Sequence, residues 1–282
     1  MTTRPLEPAI YRELVRRALE EDVGAGDVTS AAVVPAAARA AGWIVANASC
    51  VVAGLGIVAE VFHQLDPDIV VAPRRADGDG CTAGDVVVDL SGGGRVLLTG
   101  ERTALNFLQR LSGIATLTRA FVAVAGAVTV LDTRKTTPTL RQLEKYAVRV
   151  GGGRNHRFAL DDGVLIKDNH IVLAGGVEPA VRSMRAANGA RPIQVEVESL
   201  TQADAALAAG TDRLLVDNMA DSDVREVVRR SRGRATVEVS GGVSLERMAG
   251  IATTGADFVS IGALTHSAPA VDFGLELERR EP

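Results

Sequence analysis

Gly163-Val164-Leu165-Ile166-Lys167-Asp168-Asn169-His170 is a short apolar run that stops abruptly in polar residues, and it reads as a buried strand with chemistry at its end. The same form recurs on both sides of it. Val130-Leu131 runs into Asp132-Thr133-Arg134-Lys135-Thr136-Thr137-Pro138, Val195 leads to Glu196, and Leu214-Leu215-Val216 leads to Asp217-Asn218. Val237-Glu238-Val239 ends in Ser240-Gly241-Gly242, and Val259-Ser260-Ile261 ends in Gly262-Ala263. Strands are predicted at 128–131, 163–166, 193–197, 213–216, 235–239 and 258–261, each followed by a helical stretch. That alternation implies parallel strands with crossover helices, and regular spacing with Gly-rich strand ends favours a closed or nearly closed α/β barrel. In such a barrel all the polar strand ends lie on one face, where barrel enzymes place their chemistry.

The chain upstream has another character. Ile10, Leu14, Val15 and Ala18 fall at helical spacing, and Asp22-Val23-Gly24-Ala25-Gly26-Asp27 ends that helix. Residues 30–98 read as a small α+β unit whose turns are Asp77-Gly78-Asp79-Gly80 and Ser91-Gly92-Gly93-Gly94. From Gly100 the pattern changes, and 101–117 is a long helical run with Ala104, Leu105, Leu108, Leu111 and Ile114 on one side. The uncharged stretch 40–59 is interrupted by Gly42, Gly54, Gly56, Asn47 and Ser49, which favours strands and a turn over a membrane span.

The 282 residues are 46% hydrophobic but only 3% aromatic, a composition that suits helices packed on strands. A net charge of -4 gives no reason to expect nucleic acid or anionic lipid as a partner. Cys50 and Cys81 match no metal-ligand spacing and are expected to be reduced in a cytoplasm, and no signal peptide is expected from the opening Met-Thr-Thr-Arg-Pro.

Charge is distributed unevenly. Between Arg134 and His170 stand eight Lys or Arg against four acids, which implies an anionic ligand. Arg141, Lys145 and Arg149 are at helical spacing and read as a solvated helix face, whereas Arg134, Lys135, Arg157 and Lys167 sit at strand ends or beside Gly151-Gly152-Gly153. That glycine triplet reads as a loop letting backbone approach a ligand. Ser240-Gly241-Gly242 and Gly262 each follow a late strand and precede a helix, an arrangement that presents N–H groups to a phosphate. Glu196 and Glu198 are two apart and expected on one side of a strand; with Asp217 they offer oxygen ligands for Mg²⁺ near a pyrophosphate. Glu196 could equally pair with Lys167 or Arg134. His63 reads as structural, while His156, His170 and His266 lie in motifs expected to face the site.

These motifs in order, from Glu21-Asp22-Val23-Gly24-Ala25-Gly26-Asp27-Val28-Thr29-Ser30 through Gly100-Glu101-Arg102-Thr103-Ala104-Leu105-Asn106 to Gly262-Ala263-Leu264-Thr265-His266-Ser267, resemble the quinolinate phosphoribosyltransferases. The resemblance covers nearly the whole chain. It implies an open α/β sandwich domain over 1–112, an incomplete α/β barrel over 113–270, and a tail over 271–282 that returns to the first domain. It implies a homodimer in which Arg102 crosses into the partner's site, and the reduced cysteines imply a cytoplasmic location. It further implies that Arg134, His156, Arg157 and Lys167 hold the quinolinate carboxylates, with Lys135 near them. Glu196 and Asp217 would serve the ribose and Mg²⁺, and Ser240, Gly241, Gly242 and Gly262 the 5-phosphate of phosphoribosyl pyrophosphate, with His266 in the same substrate set. Lys135, Lys167, Glu196 and Asp217 are the expected catalytic groups. Two residues depart from the family pattern, Thr139 and Ala159, each where Gly is usual. A related pyrophosphorylase-like protein found with molybdate transport, and a silent phosphate-binding barrel, are the competing readings; the Arg134-Lys135, His156-Arg157 and Lys167 set argues for quinolinate.

Overall fold

Helical spacing at the N-terminus buries Val15 and Leu19 along one side of the first helix. The computed structural model describes residues 3–188 and 190–280. Its first elements are α1 (Arg12–Val23), α2 (Val28–Val33), β1 (Arg39–Ala46), β2 (Cys50–Val51), α3 (Leu55–Leu65) and β3 (Val70–Pro73). Next come β4 (Gly80–Cys81), β5 (Val86–Gly93), α4 (Gly94–Val124), β6 (Thr129–Leu131), α5 (Arg141–Val150) and β7 (Val164–Ile166). Then follow α6 (Asp168–Ala174), α7 (Val177–Asn188), β8 (Ile193–Val197), α8 (Leu200–Ala208), β9 (Arg213–Asp217) and α9 (Asp221–Ser231). The last are β10 (Thr236–Ser240), α10 (Leu245–Ile251), β11 (Phe258–Ser260), α11 (Ala263–His266) and β12 (Phe273–Arg280). The chain divides into two units, one holding residues up to Arg119, Thr137–Gly152 and the segment from Ser267, the other Ala120–Thr136 and Gly153–His266.

The first unit is built on an antiparallel sheet of order β12-β1-β5-β3. Strand β1 is paired along its whole length with the C-terminal strand, from Arg39↔Arg280 to Ala46↔Phe273. Three sequence expectations change here. Ser91-Gly92-Gly93 is no turn: it is the end of β5, and Gly94 opens α4 directly. A Cβ on Gly92 would lie 2.1 Å from Ile69 Cδ1, so this glycine serves close packing. Gly100 lies inside α4, where a Cβ would meet Phe62 at 2.8 Å, so the helix begins well before residue 101. The basic face expected on α5 fails at Lys145, which is 2% exposed beside fully buried Glu144, while Arg141 and Arg149 are half-exposed. Glu144 takes a 2.8 Å bond from Arg110 and another from the Thr137 hydroxyl. The register of β2 and β4 puts Cys50 opposite Cys81; both are free and buried, and burial pushes the Cys50 thiol up to about 11.

The second unit holds six parallel strands in the order β6-β11-β10-β9-β8-β7. Among the described residues β6 and β7 do not pair, so the sheet is open, as an incomplete barrel requires. Strand side chains alternate between faces. Ile193, Val195, Val197, Leu214, Val216, Val237 and Val239 are buried on one side, where α8 packs on β8 and α9 on β10. The alternate set, Gln194, Glu196, Leu215, Asp217, Glu238 and Ser240, therefore faces the barrel interior. No helix of the described residues is long and apolar enough to cross a membrane.

Candidate active site

The interior-facing strand ends and the loops after them enclose a cavity of about 550 Å³ within the second unit. Its wall includes Arg134, Lys135, His156, Arg157, Lys167, Glu196, Asp217, Ser240, Gly241, Gly242, Gly262 and His266. Each place has a local cause. Lys167 directly follows β7, and its Nζ lies 3.0 Å from Glu196 Oε2 on neighbouring β8, an ion pair half open to solvent. Asp217 ends β9 and accepts a 2.9 Å bond from the side chain of Asn218.

Fully buried Asp132 organises the loop that carries His156 and Arg157. Its carboxylate accepts from the Asn155 amide at 2.6 Å and from the His156 N–H at 2.8 Å. Arg157 donates to the Gly163 carbonyl at 3.0 Å. Burial, and then the nearby charge of Arg134, push its guanidinium below the ordinary arginine value. Two like charges held together in a partly desolvated wall raise the attraction for a multiply charged anion.

Backbone makes another part of the wall. Gly241 and Gly242 adopt φ of 88° and 55°, and a Cβ on Gly241 would come within 2.2 Å of Asn218 Oδ1. Only glycine fits that turn. Arg247 pins it from α10, donating to the Gly241 carbonyl at 2.6 Å and to the Met219 carbonyl at 2.8 Å. Gly262 leaves space for Lys135 and His266, whose side chains lie 3.0 and 3.2 Å from where its Cβ would be. The cavity thus brings together cations, a glycine turn and the carboxylates of Glu196 and Asp217.

Residues 27–112 match the N-terminal domain, and 114–276 the C-terminal domain, of quinolinate phosphoribosyl transferase. The chain belongs to the quinolinate phosphoribosyltransferase family. It is 44% identical over 274 residues to the nicotinate-nucleotide pyrophosphorylase [carboxylating] of Mycobacterium leprae, covering 94% of this chain and 96% of that one. The probable nicotinate-nucleotide pyrophosphorylase [carboxylating] of Bacillus subtilis is 41% identical, covering 94% and 93%. The crystal structure of NadC from Streptococcus pyogenes superposes with a TM-score of 0.95 at 40% identity, covering 99% of this chain and 100% of that one.

Several sequence-chosen residues stand elsewhere in this phosphoribosyltransferase. Arg102 is exposed on α4 and is not part of the cavity wall. Glu198 lies just past the end of β8, exposed, and is not part of the cavity wall. His170 is also outside the wall; its Nδ1 accepts from the Lys167 N–H at 2.9 Å and so caps α6. Gly151 packs instead of binding, since a Cβ there would meet the Ala115 carbonyl at 2.5 Å. Thr139 has φ 69°, which explains why glycine is usual at this position; Ala159 has no such backbone.

Other wall residues went unread in the sequence. Glu238 lines the cavity floor although its side chain is fully buried. Burial alone would raise its pKa, but the neighbouring His156 ring and the Gln194 amide outweigh this and hold the carboxyl below its usual range. The signal that could have found it is an acid alternating with valines in a strand predicted to be interior.

Proposed function

We propose that this chain transfers the phosphoribosyl group of phosphoribosyl pyrophosphate to quinolinate with decarboxylation, giving nicotinate mononucleotide, pyrophosphate and CO2 for NAD biosynthesis. One observation carries the reading: Arg134, Lys135, Arg157 and Lys167 line a single cavity together with a left-handed glycine turn. Guanidiniums hold carboxylates in bidentate fashion, which suits a rigid diacid, and the glycine turn with Ser240 and Gly262 suits a phosphate. The silent phosphate-binding alternative has no need of the cationic wall.

In this reading Arg134, Arg157 and Lys167, with Lys135 and the His156 ring beside them, orient quinolinate so that its ring nitrogen faces C1 of the ribose. His266 and Gly262 belong to the phosphate end. The nitrogen lone pair forms the new bond to C1 as the bond to pyrophosphate breaks, and Glu196 and Asp217 offset the positive charge that develops on the sugar. With the ring nitrogen then quaternary, the C2–carboxylate bond can break, its electron pair passing toward the ring while CO2 departs. A proton from solvent or a neighbouring lysine completes the product.

Mg²⁺ is part of the proposal. Among the described residues no group of three or more His, Cys, Asp or Glu is arranged to hold a metal. Mg²⁺ typically uses one or two carboxylates together with substrate phosphates, so Glu196 and Asp217 fit an ion delivered with pyrophosphate and do not make a stand-alone site. When bound it would neutralise the departing phosphates. Glu198, outside the cavity wall, is not a ligand in this reading.

We further propose a cytoplasmic homodimer in which Arg102 completes the partner's cavity, since it lies exposed on α4. Turnover of quinolinate and phosphoribosyl pyrophosphate with Mg²⁺, read as CO2 release, tests the function; full activity in chelator-treated buffer would exclude the metal. Co-refolding inactive Arg102→Ala with inactive Lys167→Ala tests the shared site. Half the dimers are then mixed with one intact site each, so activity should return to about a quarter of wild type. Subunit exchange without recovery would place Arg102 in its own chain's chemistry.

A further inference from the structure

Beneath the cavity the barrel interior holds a polar layer where apolar side chains are the rule. Glu238 is fully buried on β10, and Arg213 NH1 lies 3.6 Å from its Oε2 while the guanidinium sits 4.3 Å over the Phe258 ring. Gln194 Nε2 donates to Glu238 Oε2 at 2.8 Å, and Gln194 Oε1 lies 3.2 Å from His156 Nε2. His156 Nε2 is also 3.5 Å from Glu238 Oε2. On the far side of the ring, His156 Nδ1 accepts the Arg157 N–H at 2.9 Å.

The direction of this chain of bonds follows from one group. An ionised carboxylate only accepts, so the Gln194 amide must turn its NH₂ to Glu238. Its oxygen then faces His156, so the imidazole nitrogen there must be Nε2–H. That leaves Nδ1 as the acceptor the Arg157 backbone needs, and a backbone N–H can only donate. Both ends of the chain demand the same polarity.

We infer that Glu238 is a positioning residue, which sets the tautomer of His156 and through it the aim of Arg157 at the substrate diacid. This rests on the assignment of quinolinate to the cationic wall. In it His156 contributes a fixed ring orientation, and the arginines and lysines meet the diacid charge. Asp132 anchors the same loop through its backbone, so the loop that carries Arg157 is held from two sides.

Nitrogen-15 NMR of histidine-labelled enzyme tests this, with His156→Gln assigning the signal among the four histidines. The wild-type ring should carry hydrogen on Nε2 alone. A ring protonated at Nδ1 overturns the inference. Glu238→Gln removes the charge that imposes the direction, because a glutamine side chain can present either its oxygen or its NH₂. It should mix the tautomers and raise the KM for quinolinate by about tenfold, the scale of a small misplacement of a binding group. The KM for phosphoribosyl pyrophosphate should change by less than about twofold. Combining it with His156→Ala should add almost nothing to the quinolinate KM of His156→Ala, whereas fully additive effects overturn the relay. If Glu238→Gln does not fold, the wild-type spectrum and the same kinetic split in Gln194→Met decide. Unchanged quinolinate KM in folded Glu238→Gln with a strong effect of Arg134→Lys sinks the relay alone; no effect from Arg134→Lys sinks the pocket assignment beneath it.

Discussion

Ser91-Gly92-Gly93 and Ser240-Gly241-Gly242 are the same three residues in two settings. The first stays extended at the end of β5, with Gly92 paired opposite Ala40 and closed over by Ile69. The second leaves β10 in a left-handed turn, with φ of 88° and 55°, and forms one wall of the candidate site. Glycine therefore does two unlike jobs here: in β5 it removes a side chain so that another can pack, and after β10 it permits a left-handed backbone turn that lines the cavity. A tripeptide does not carry its own meaning; the neighbours select it.

The sharpest way to break this comparison is to add one methyl group at each glycine. At Gly241 it would strain a positive φ and collide with Asn218 Oδ1 at 2.2 Å. Gly241→Ala should lower kcat/KM for phosphoribosyl pyrophosphate by about 100-fold or more, the scale seen when a preorganised anion site loses a donor. Steady-state kinetics on folded protein measure it, and a near-normal value would mean that the turn binds no phosphate. Ser240→Ala comes next. Losing a hydrogen bond to a charged group costs about 1.5–3 kcal/mol, so the same KM should rise tenfold or somewhat more, roughly. Ser91 is exposed, and Ser91→Ala should leave thermal stability within about 0.5 kcal/mol.

Gly92→Ala should behave in the opposite way to Gly241→Ala. The colliding atom is the tip of the Ile69 side chain, which can rotate, so overpacking should cost about 1–2 kcal/mol of stability in denaturant melts. The kinetic constants of the folded fraction should match wild type, and a shifted KM would refute a purely packing role. One effect is a gain. Thr139 is a β-branched residue at φ 69° on the surface, and Thr139→Gly should stabilise by about 1 kcal/mol in the same melts. Destabilisation would mean that the threonine side chain repays its strain locally.

Much of the second unit was legible because its strands announce themselves. Residues 193–197 were expected as a strand and are one, and the other five match within a residue or two. Short apolar runs bounded by turns and charge have few alternative structures. The start of α4 was not legible, since Gly93-Gly94 and Gly100 have the composition of breakers; they are tolerated because Phe62 and other neighbours occupy the space beside them. The burial of Lys145 was missed for a related reason: a lysine at helical spacing looks solvated until the elements packed over α5 are known. The twelve wall residues drawn from strand ends, the glycine-rich loop and the family resemblance converge on one cavity, yet Glu198 and His170 had comparable claims by sequence and stand outside it.

By itself the sequence determined where strands alternate with helices, which residues stand at strand ends, and that cations concentrate between 134 and 170. Those properties follow from periodicity and local composition, which need no partner to be read. The tertiary structure alone decided which side of each strand is inside. A period of two separates Gln194 and Glu238 from the valines beside them, but it cannot say which set meets helices and which meets the cavity. Curvature of the six-stranded sheet and the helices covering its outer face make that choice. It turns an acid that the sequence shows only as a polar alternate into the buried charge that lines the cavity floor.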